Sequence, residues 1–229
     1  MTTTPPPATM TDPELRRAII ATALQMNALR VNFGKAGNVS ARTDAGFLVT
    51  PTGIPYDQIE PAHIVAMTSA GESRGAYEPS SEWRFHRDIY VARREVGAVV
   101  HAHSPFATTL ACLGRGIPPF HYMVAVAGGK DIRCAPYATF GTQQLSDHAL
   151  AALEGRKACL LANHGLIATG SSLDAALALA VEVEGLAEQY WRALQIGEPN
   201  ILPDAEMAVV VEKFRTYGQP VRNESGPGG

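Results

Sequence analysis

Two histidines, His101 and His103, follow a short apolar run in the segment GAVVHAHSP, residues 97–105. Side chains alternate between the two faces of a strand, so residues two apart point to the same face. Neutral imidazole is a common ligand of zinc and its first-row neighbours. Two imidazoles at the end of one strand are therefore either a structural feature or half of a metal site, and the pattern alone leaves both interpretations open.

A third histidine and a carboxylate are available to complete such a site. His164 lies in the turn sequence NHG, directly after a second apolar run, and Glu82 precedes a predicted helix. Catalytic zinc sites commonly have three protein ligands and one open position, which suits this set. Three further histidines are interpreted as hydrogen-bonded or surface side chains: His63, His86 and His148.

Short polar residues close to the same elements offer hydroxyl or N–H groups to an anion. Asn38 in GNVS, and Thr52 with Gly53 in TPTG, lie at predicted strand ends, and Ser80 and Ser81 precede a predicted helix. The N-terminus of a helix attracts anions, although such residues also make ordinary turns and caps. With the histidines and the carboxylate, they suggest a phosphorylated substrate held beside a Lewis-acid metal.

The elements that must position these residues form an α/β pattern. It predicts long helices over residues 12–29, 79–94, 173–196 and 204–217, and a short helix opened by Ser104-Pro105. It also predicts a hairpin of strands over residues 34–42 and 46–53, and two buried strands within 158–170. Strands and helices alternate without a linker or repeat, which predicts a single domain over residues 1–229, with disordered ends at 1–10 and 222–229.

The composition excludes several classes of protein. The net charge of −3, with no long run of Lys and Arg, argues against a nucleic-acid partner. No apolar stretch approaches the about 18 residues of a membrane span, and the first residues do not have the pattern of a signal peptide. The cysteines are widely spaced in apolar surroundings, which is typical of free thiols in a reducing cytoplasm, so we expect a cytoplasmic protein: Cys112, Cys134 and Cys159.

Seven segments together resemble the class II aldolase/adducin family: GNVSAR, TPTGIPYD, PSSEWRFH, VVHAHS, IPPFHYMVAVAGG, APYATFGT and NHGLIA. The resemblance extends from about residue 15 to residue 218, and the segments SSEWRFH, HYM, ATFGT and EKFRTYG are more specific to the fuculose phosphate branch of the family. It implies a three-layer αβα fold with a central mixed, mainly antiparallel sheet. It also implies a zinc-dependent aldolase that cleaves L-fuculose 1-phosphate, or a related ketose 1-phosphate, to dihydroxyacetone phosphate and L-lactaldehyde.

The resemblance also implies roles for individual residues. His101, His103 and His164 match the zinc ligands of the family. Glu82 matches a carboxylate that completes the metal site when no substrate is bound and acts as a base when substrate arrives. The residues that match the phosphate-binding set are Asn38, Thr52, Gly53, Ser80 and Ser81.

Two tyrosines match groups that complete the site. Tyr122, in HYM, matches a tyrosine that serves as a proton donor in the active site of a neighbouring subunit, which implies a homotetramer with sites at subunit interfaces. Tyr217 matches a tyrosine on a mobile C-terminal segment that closes the site. The lysines show no context for the Schiff-base chemistry of the other aldolase class: Lys35, Lys130, Lys157 and Lys213.

Other functions on the same fold stay open at this point. An L-ribulose-5-phosphate 4-epimerase uses the same metal and the same bond cleavage, and a sugar-acid phosphate decarboxylase and a methylthioribulose-phosphate dehydratase belong to the same group. The segments HYM and EKFRTYG favour the aldolase. A non-catalytic adducin-like module is not expected, because such modules lack the metal histidines that all stand here.

Overall fold

The computed structural model describes residues 12–216, in which eight strands form one mixed sheet between two layers of helices. The strands follow the order β4-β3-β2-β1-β5-β8-β7-β6 across the sheet, and all neighbours are antiparallel except β6 and β7. Their bounds are β1 Asn38–Thr43, β2 Gly46–Val49, β3 Val65–Thr68, β4 Ser73–Arg74, β5 Ala98–Ala102, β6 Cys134–Ala135, β7 Ala158–Leu161 and β8 Gly165–Gly170. The helices are α1 Asp12–Ala28, α2 Trp83–Ala92, α3 Pro105–Cys112, α4 Gln143–Leu153, α5 Leu173–Ile196 and α6 Asp204–Thr216.

The central strands carry apolar side chains on both faces because helices cover both sides of the sheet. All residues of β5 and β7 are buried, and so is β8 up to its last residue. One face packs against α1, α3 and α5, and the other packs against α2 and α4. This arrangement confirms the predicted fold class of helices on both sides of a mixed, mainly antiparallel sheet.

Most predicted elements are present, and the differences in their ends have local causes. The hairpin strands are shorter than predicted, because Gly34 and Gly53 adopt positive φ angles of 64° and 76°, which turn the chain out of the sheet. The helix predicted from residue 79 begins only at Trp83, because Pro79 pairs with Pro51 in an isolated extended bridge. The sequence patterns did not indicate β3, β4 or β6, two of which have only two residues.

Some expectations lie outside the described residues. These are the predicted disordered ends and Tyr217, since the description of α6 ends at Thr216. Among the described residues, no helix is both long enough and apolar enough to span a membrane.

Candidate metal centre

Four side chains converge at one end of the central strands. Glu82, His101, His103 and His164 each offer one ligand atom, and these atoms all lie within 4.8 Å of one another. His101 and His103 come from the end of β5, and His164 immediately precedes β8, the neighbour of β5 in the sheet. Glu82 is the residue before α2, on the face of the sheet that α2 and α4 cover. The structure therefore brings together all four predicted metal ligands.

The tautomer of His101 is fixed by the backbone of β8. Its Nδ1 lies 2.8 Å from the carbonyl oxygen of Leu166, which can only accept, so Nδ1 carries the proton. In the neutral ring the Nε2 lone pair then points into the cluster, 3.0 Å from Nε2 of His103. A carbonyl that orients the remote nitrogen of a ligand histidine is a common feature of protein metal sites.

The turn before β8 places His164 in the cluster. Asn163 has a left-handed backbone with φ of 56°, and asparagine tolerates this conformation better than most residues. Gly165 lies so close to the neighbouring strand that an added Cβ would come within 2.4 Å of the Ala102 carbonyl oxygen and 2.9 Å of the His103 ring. The sequence NHG thus combines a tight turn, a ligand and a residue without a side chain.

Glu82 spans two of the histidines. Its Oε2 lies 3.1 Å from Nε2 of His101, and its Oε1 lies 3.1 Å from Nε2 of His164. As the N-cap of α2 it has φ −102° and ψ 14°, and its side chain does not cap the helix. The carboxylate is therefore directed into the cluster instead of onto the helix N-terminus.

The electrostatics of the cluster keep Glu82 and His103 in the forms that can bind a metal ion. Burial would raise the pKa of the Glu82 carboxyl, but the neighbouring His101 and His164 rings outweigh it and lower that pKa. Burial, together with the charges of His101 and His164, lowers the pKa of His103 to about 3. For His101 burial acts against the charged form, but the neighbouring Glu82 carboxylate raises its pKa overall. Glu82 thus stays ionised and His103 stays neutral near pH 7.

This donor set fits a divalent metal ion. Ligand atoms about 2.0–2.1 Å from a tetrahedral zinc ion lie about 3.3 Å from one another. Three of the separations found here are 3.0–3.1 Å, and all four atoms lie within 4.8 Å of one another. The buried Oε1 of Glu82 has no hydrogen-bond partner among the described residues. The Nε2 atoms of His101 and His103 face each other at 3.0 Å, as two ligands of one ion would. A cation among the four atoms would satisfy all of them.

Four of the five residues predicted to bind phosphate lie on two adjoining loops. The Pro51–Pro79 bridge joins these loops, and the Thr52 N–H donates to the Glu78 carbonyl at 3.1 Å. Ser80 is buried and its Oγ accepts from the Glu82 N–H at 3.3 Å, so this serine makes a local turn just before α2. The three exposed members of the set are Thr52, Gly53 and Ser81.

Asn38, the fifth member, is buried and contacts the metal cluster directly. Its Nδ2 donates to Oε2 of Glu82 at 2.9 Å, and its Oδ1 lies 2.5 Å from Nε2 of His86. In register it pairs with His101 across β1 and β5, which places it at the edge of the cluster. The structure thus places Asn38 beside the carboxylate and not on the two loops.

Lys35 is a cation that sequence reasoning set aside. Its Nζ donates to the Gly53 carbonyl at 2.7 Å, so an exposed ammonium group lies against the TPTG loop. The signal that could have found it is its place in GKAGNVS, three residues before Asn38. Its charge suits an anion bound at that loop.

Tyr122 is not among the side chains of the metal cluster. It is 50% exposed, stacks on His121 and opens the 3₁₀ segment Tyr122–Ala127. With residues of α6 and of the segments just before Tyr122 and just before α6, it lines a groove of about 630 Å³. The other predicted tyrosine, Tyr217, lies outside the described residues.

Comparisons with known proteins identify the family. Residues 17–191 match the model of the Class II Aldolase and Adducin N-terminal domain. The chain is 61% identical to the 5-methylthioribulose-1-phosphate/5-deoxyribulose-1-phosphate aldolase of Rhodospirillum rubrum, over 93% of this chain and 96% of that protein. It is 52% identical to the L-fuculose phosphate aldolase of Escherichia coli strain K12, over 90% of this chain and 96% of that protein. A solved structure of L-fuculose 1-phosphate aldolase is 40% identical and superimposes with a TM-score of 0.86, covering 90% of this chain and 98% of that one. The chain therefore belongs to the class II aldolase family and is an enzyme of the lyase class.

Proposed function

We propose that this protein is a zinc-dependent aldolase that reversibly cleaves the C3–C4 bond of a ketose 1-phosphate. The products are dihydroxyacetone phosphate and an aldehyde. The observation that supports this most directly is the convergence of Glu82 with three histidines beside two polar loops. A non-catalytic adducin-like binding module would not require such a cluster.

Zinc is the metal that this donor set suits best. Three imidazoles and one carboxylate form a tetrahedral set, and loss of the carboxylate would leave a position for substrate oxygens. A bound zinc ion would stabilise the negative charge that develops on the substrate oxygens when the C3–C4 bond breaks. His101, His103 and His164 would hold it throughout.

Glu82 is suited to move the proton at C3. In cleavage, C3 of the dihydroxyacetone phosphate fragment receives a proton, and in synthesis the same proton is removed. Glu82 is ionised, buried and held beside the histidines, so it can take this proton as a base and return it as an acid. A positioned acid–base group of this kind contributes about 10²–10⁴-fold to the rate.

The two polar loops are placed to hold the phosphate. Ser81, Thr52 and Gly53 are exposed on adjoining segments, and Lys35 lies against one of them. Binding the phosphate there would fix the small fragment relative to Glu82, so that binding energy remote from C3 orients the reacting atoms. Asn38 would lie at the opposite end of the same fragment, beside the Glu82 carboxylate.

The C4 oxygen needs a proton donor in synthesis and an acceptor in cleavage. We assign this role to Tyr122 of a neighbouring copy in a homotetramer, because Tyr122 is half exposed and lines a groove that contains none of the cluster residues. A symmetric assembly repeats such a contact at every interface. Tyr217 is proposed to close the site from the C-terminal segment.

The choice of ketose separates the two sets of relatives. Cleavage between C3 and C4 of 5-deoxyribulose 1-phosphate or 5-methylthioribulose 1-phosphate releases a two-carbon aldehyde, with a methylthio group in the second case. L-Fuculose 1-phosphate instead releases L-lactaldehyde, which carries a hydroxyl group. The 61% identity to the Rhodospirillum rubrum enzyme, against 52% to the Escherichia coli enzyme, favours the 5-deoxy and 5-methylthio substrates over L-fuculose 1-phosphate.

A panel of ketose phosphates tests the proposal. Purified protein loaded with zinc is incubated with 5-deoxyribulose, 5-methylthioribulose, L-fuculose and L-rhamnulose 1-phosphates and with L-ribulose 5-phosphate. We expect release of dihydroxyacetone phosphate, with the highest kcat/KM for the first two. An epimer of L-ribulose 5-phosphate without release of fragments would identify an epimerase instead. Carbon dioxide released from a sugar-acid phosphate, added to the same panel, would identify a decarboxylase.

A further inference from the structure

A line of hydrogen bonds leads from Glu82 into the interior between α2 and β1. Asn38 Nδ2 lies 2.9 Å from Glu82 Oε2, and Asn38 Oδ1 lies 2.5 Å from His86 Nε2. His86 Nδ1 lies 2.6 Å from Ser40 Oγ, which lies 2.8 Å from the Tyr90 hydroxyl. All five residues are buried. We call these residues the α2–β1 relay: Glu82, Asn38, His86, Ser40 and Tyr90.

The spacing of the relay follows from its two elements. Glu82, His86 and Tyr90 are four residues apart and lie on one face of α2. Asn38 and Ser40 are two residues apart and lie on one face of β1. Each strand residue therefore fits between two helix residues, and the line has no exposed member.

Only one direction of hydrogen bonding satisfies the whole relay. The Glu82 carboxylate only accepts, so Asn38 presents its NH₂ group to it and its carbonyl to His86. A carbonyl also only accepts, so His86 carries its proton on Nε2. The lone pair on Nδ1 then accepts from Ser40, whose oxygen accepts from Tyr90. The Glu82 carboxylate thus fixes which atom donates and which accepts at every hydrogen bond of the relay.

His86 remains a neutral donor across the working range of pH. Burial and the charge of His101 lower its pKa to about 3, against an opposing effect of the Glu82 carboxylate. A neutral imidazole has one N–H, and here the geometry requires it on Nε2. Its position in the relay does not depend on a change of charge.

We propose that His86 is a positioning residue that acts through Asn38 to hold the Glu82 carboxylate in its reactive orientation. An unrestrained asparagine amide can rotate by half a turn and present its carbonyl oxygen to Glu82, which would repel the carboxylate. The Nε2–H of His86 reinforces the orientation that Glu82 selects, because the rotated amide would set NH₂ against N–H. This inference rests on the proposed role of Glu82 as the base.

Two substitutions at position 86 separate positioning from packing. His86→Gln can place an amide N–H near the position of Nε2, whereas His86→Phe fills a similar volume and removes both hydrogen bonds. We expect His86→Phe to lower kcat about 100-fold with KM within twofold, since small errors in the placement of a reacting group cost about this much. His86→Gln should recover at least tenfold of that loss. His148→Gln on α4 is the control for losing a histidine elsewhere, and its kcat should equal that of the wild type.

The tautomer of His86 provides a readout that does not depend on activity. In protein with ¹⁵N-labelled histidine, nitrogen–proton correlation spectra distinguish Nε2–H from Nδ1–H imidazole, and the signals missing in His86→Gln identify His86. We expect Nε2–H without titration between pH 5 and 8, in both zinc-loaded and metal-free protein. An Nδ1–H tautomer, or a charged ring in this range, would overturn the proposal.

The remaining outcomes are distinguishable. Equal kcat for His86→Phe and the wild type, or equal loss in His86→Phe and His86→Gln with full zinc content, would also overturn the positioning role. A wild-type enzyme that releases no dihydroxyacetone phosphate from any ketose 1-phosphate would contradict the proposed function instead. The tautomer measurement would still test whether His86 donates a hydrogen bond to Asn38.

Discussion

The metal cluster is largely buried and complete within one chain, whereas the surface around Tyr122 is open. The cluster takes all four ligands from β5, the turn before β8 and the start of α2, and its side chains are buried or half-buried against the central sheet. Tyr122 is half exposed and borders an open groove beside α6. A single chain thus brings all four candidate ligands together, whereas in the proposed function the proton donor for C4 comes from a neighbouring copy. The predictions below separate these two parts.

Removing a metal ligand should have the largest effect. His101→Ala deletes a buried imidazole whose Nε2 faces both His103 and Glu82. We expect zinc content well below one per chain and no measurable cleavage, while circular dichroism shows a folded protein, because the hydrophobic core does not include the metal. Elemental analysis checks this, and full zinc occupancy in both His101→Ala and His103→Ala would contradict the assignment of ligands.

Removing the hydroxyl of Tyr122 should lower kcat by about 10² or more, with zinc content unchanged. The sharper test mixes inactive Glu82→Gln protein with inactive Tyr122→Phe protein under conditions of subunit exchange. Sites that combine an intact Glu82 with an intact Tyr122 from another copy should restore part of the activity. No recovery after demonstrated exchange would mean that Tyr122 acts in the site of its own chain or has no role in catalysis.

Lys35 should affect binding more than chemistry. Lys35→Gln removes the ammonium group beside the Gly53 carbonyl and keeps a hydrogen-bond donor of similar length. We expect KM for a ketose 1-phosphate to rise several-fold with kcat within about twofold, because in the proposed site the lost charge would contact only the phosphate. Lys130→Gln, whose side chain pairs with Asp204, is the control and should leave KM unchanged. An unchanged KM in Lys35→Gln would remove this residue from the phosphate site.

The smallest effect concerns the stability of the metal-free protein in acid. The pKa of His86 and His103 is lowered to about 3, so the unfolded chain takes up protons below about pH 6.5 that the folded chain does not. The free energy of unfolding should therefore fall as the pH is lowered from 6.5 to 4. His86→Gln should reduce this slope by up to about 1.4 kcal/mol per pH unit, measured by denaturant titration at each pH. An identical slope in both proteins would show that His86 takes up its proton in the folded state.

The sequence predicts the ligand-bearing parts of the fold well because they follow simple periodicity. Alternation along β5 places His101 and His103 on one face, and the apolar runs on both sides of NHG predict β7 and β8. The convergence of Glu82 and His164 on that strand could not be derived from spacing, because it depends on the sheet order. It came from the resemblance to a family.

Other features depend on contacts between distant segments and leave little trace in one sequence. The late start of α2 follows from the pairing of Pro79 with Pro51. His86 was interpreted as an ordinary hydrogen-bonded or surface histidine, and it is indeed buried and hydrogen-bonded. Its link to Glu82 through Asn38 appears only when α2 is packed on β1, because no local pattern fixes which way an asparagine amide points.

The central claim is that Glu82 moves the C3 proton, and exchange of that proton with solvent tests it most directly. Dihydroxyacetone phosphate is incubated in deuterated water with zinc-saturated wild-type or Glu82→Gln protein, and loss of the C3 proton signal is followed by NMR. The three histidines should keep most of the zinc in the variant, while the exchange rate falls by about 10² or more. Exchange at the wild-type rate in zinc-loaded Glu82→Gln protein would show that another group takes the proton and would contradict the account.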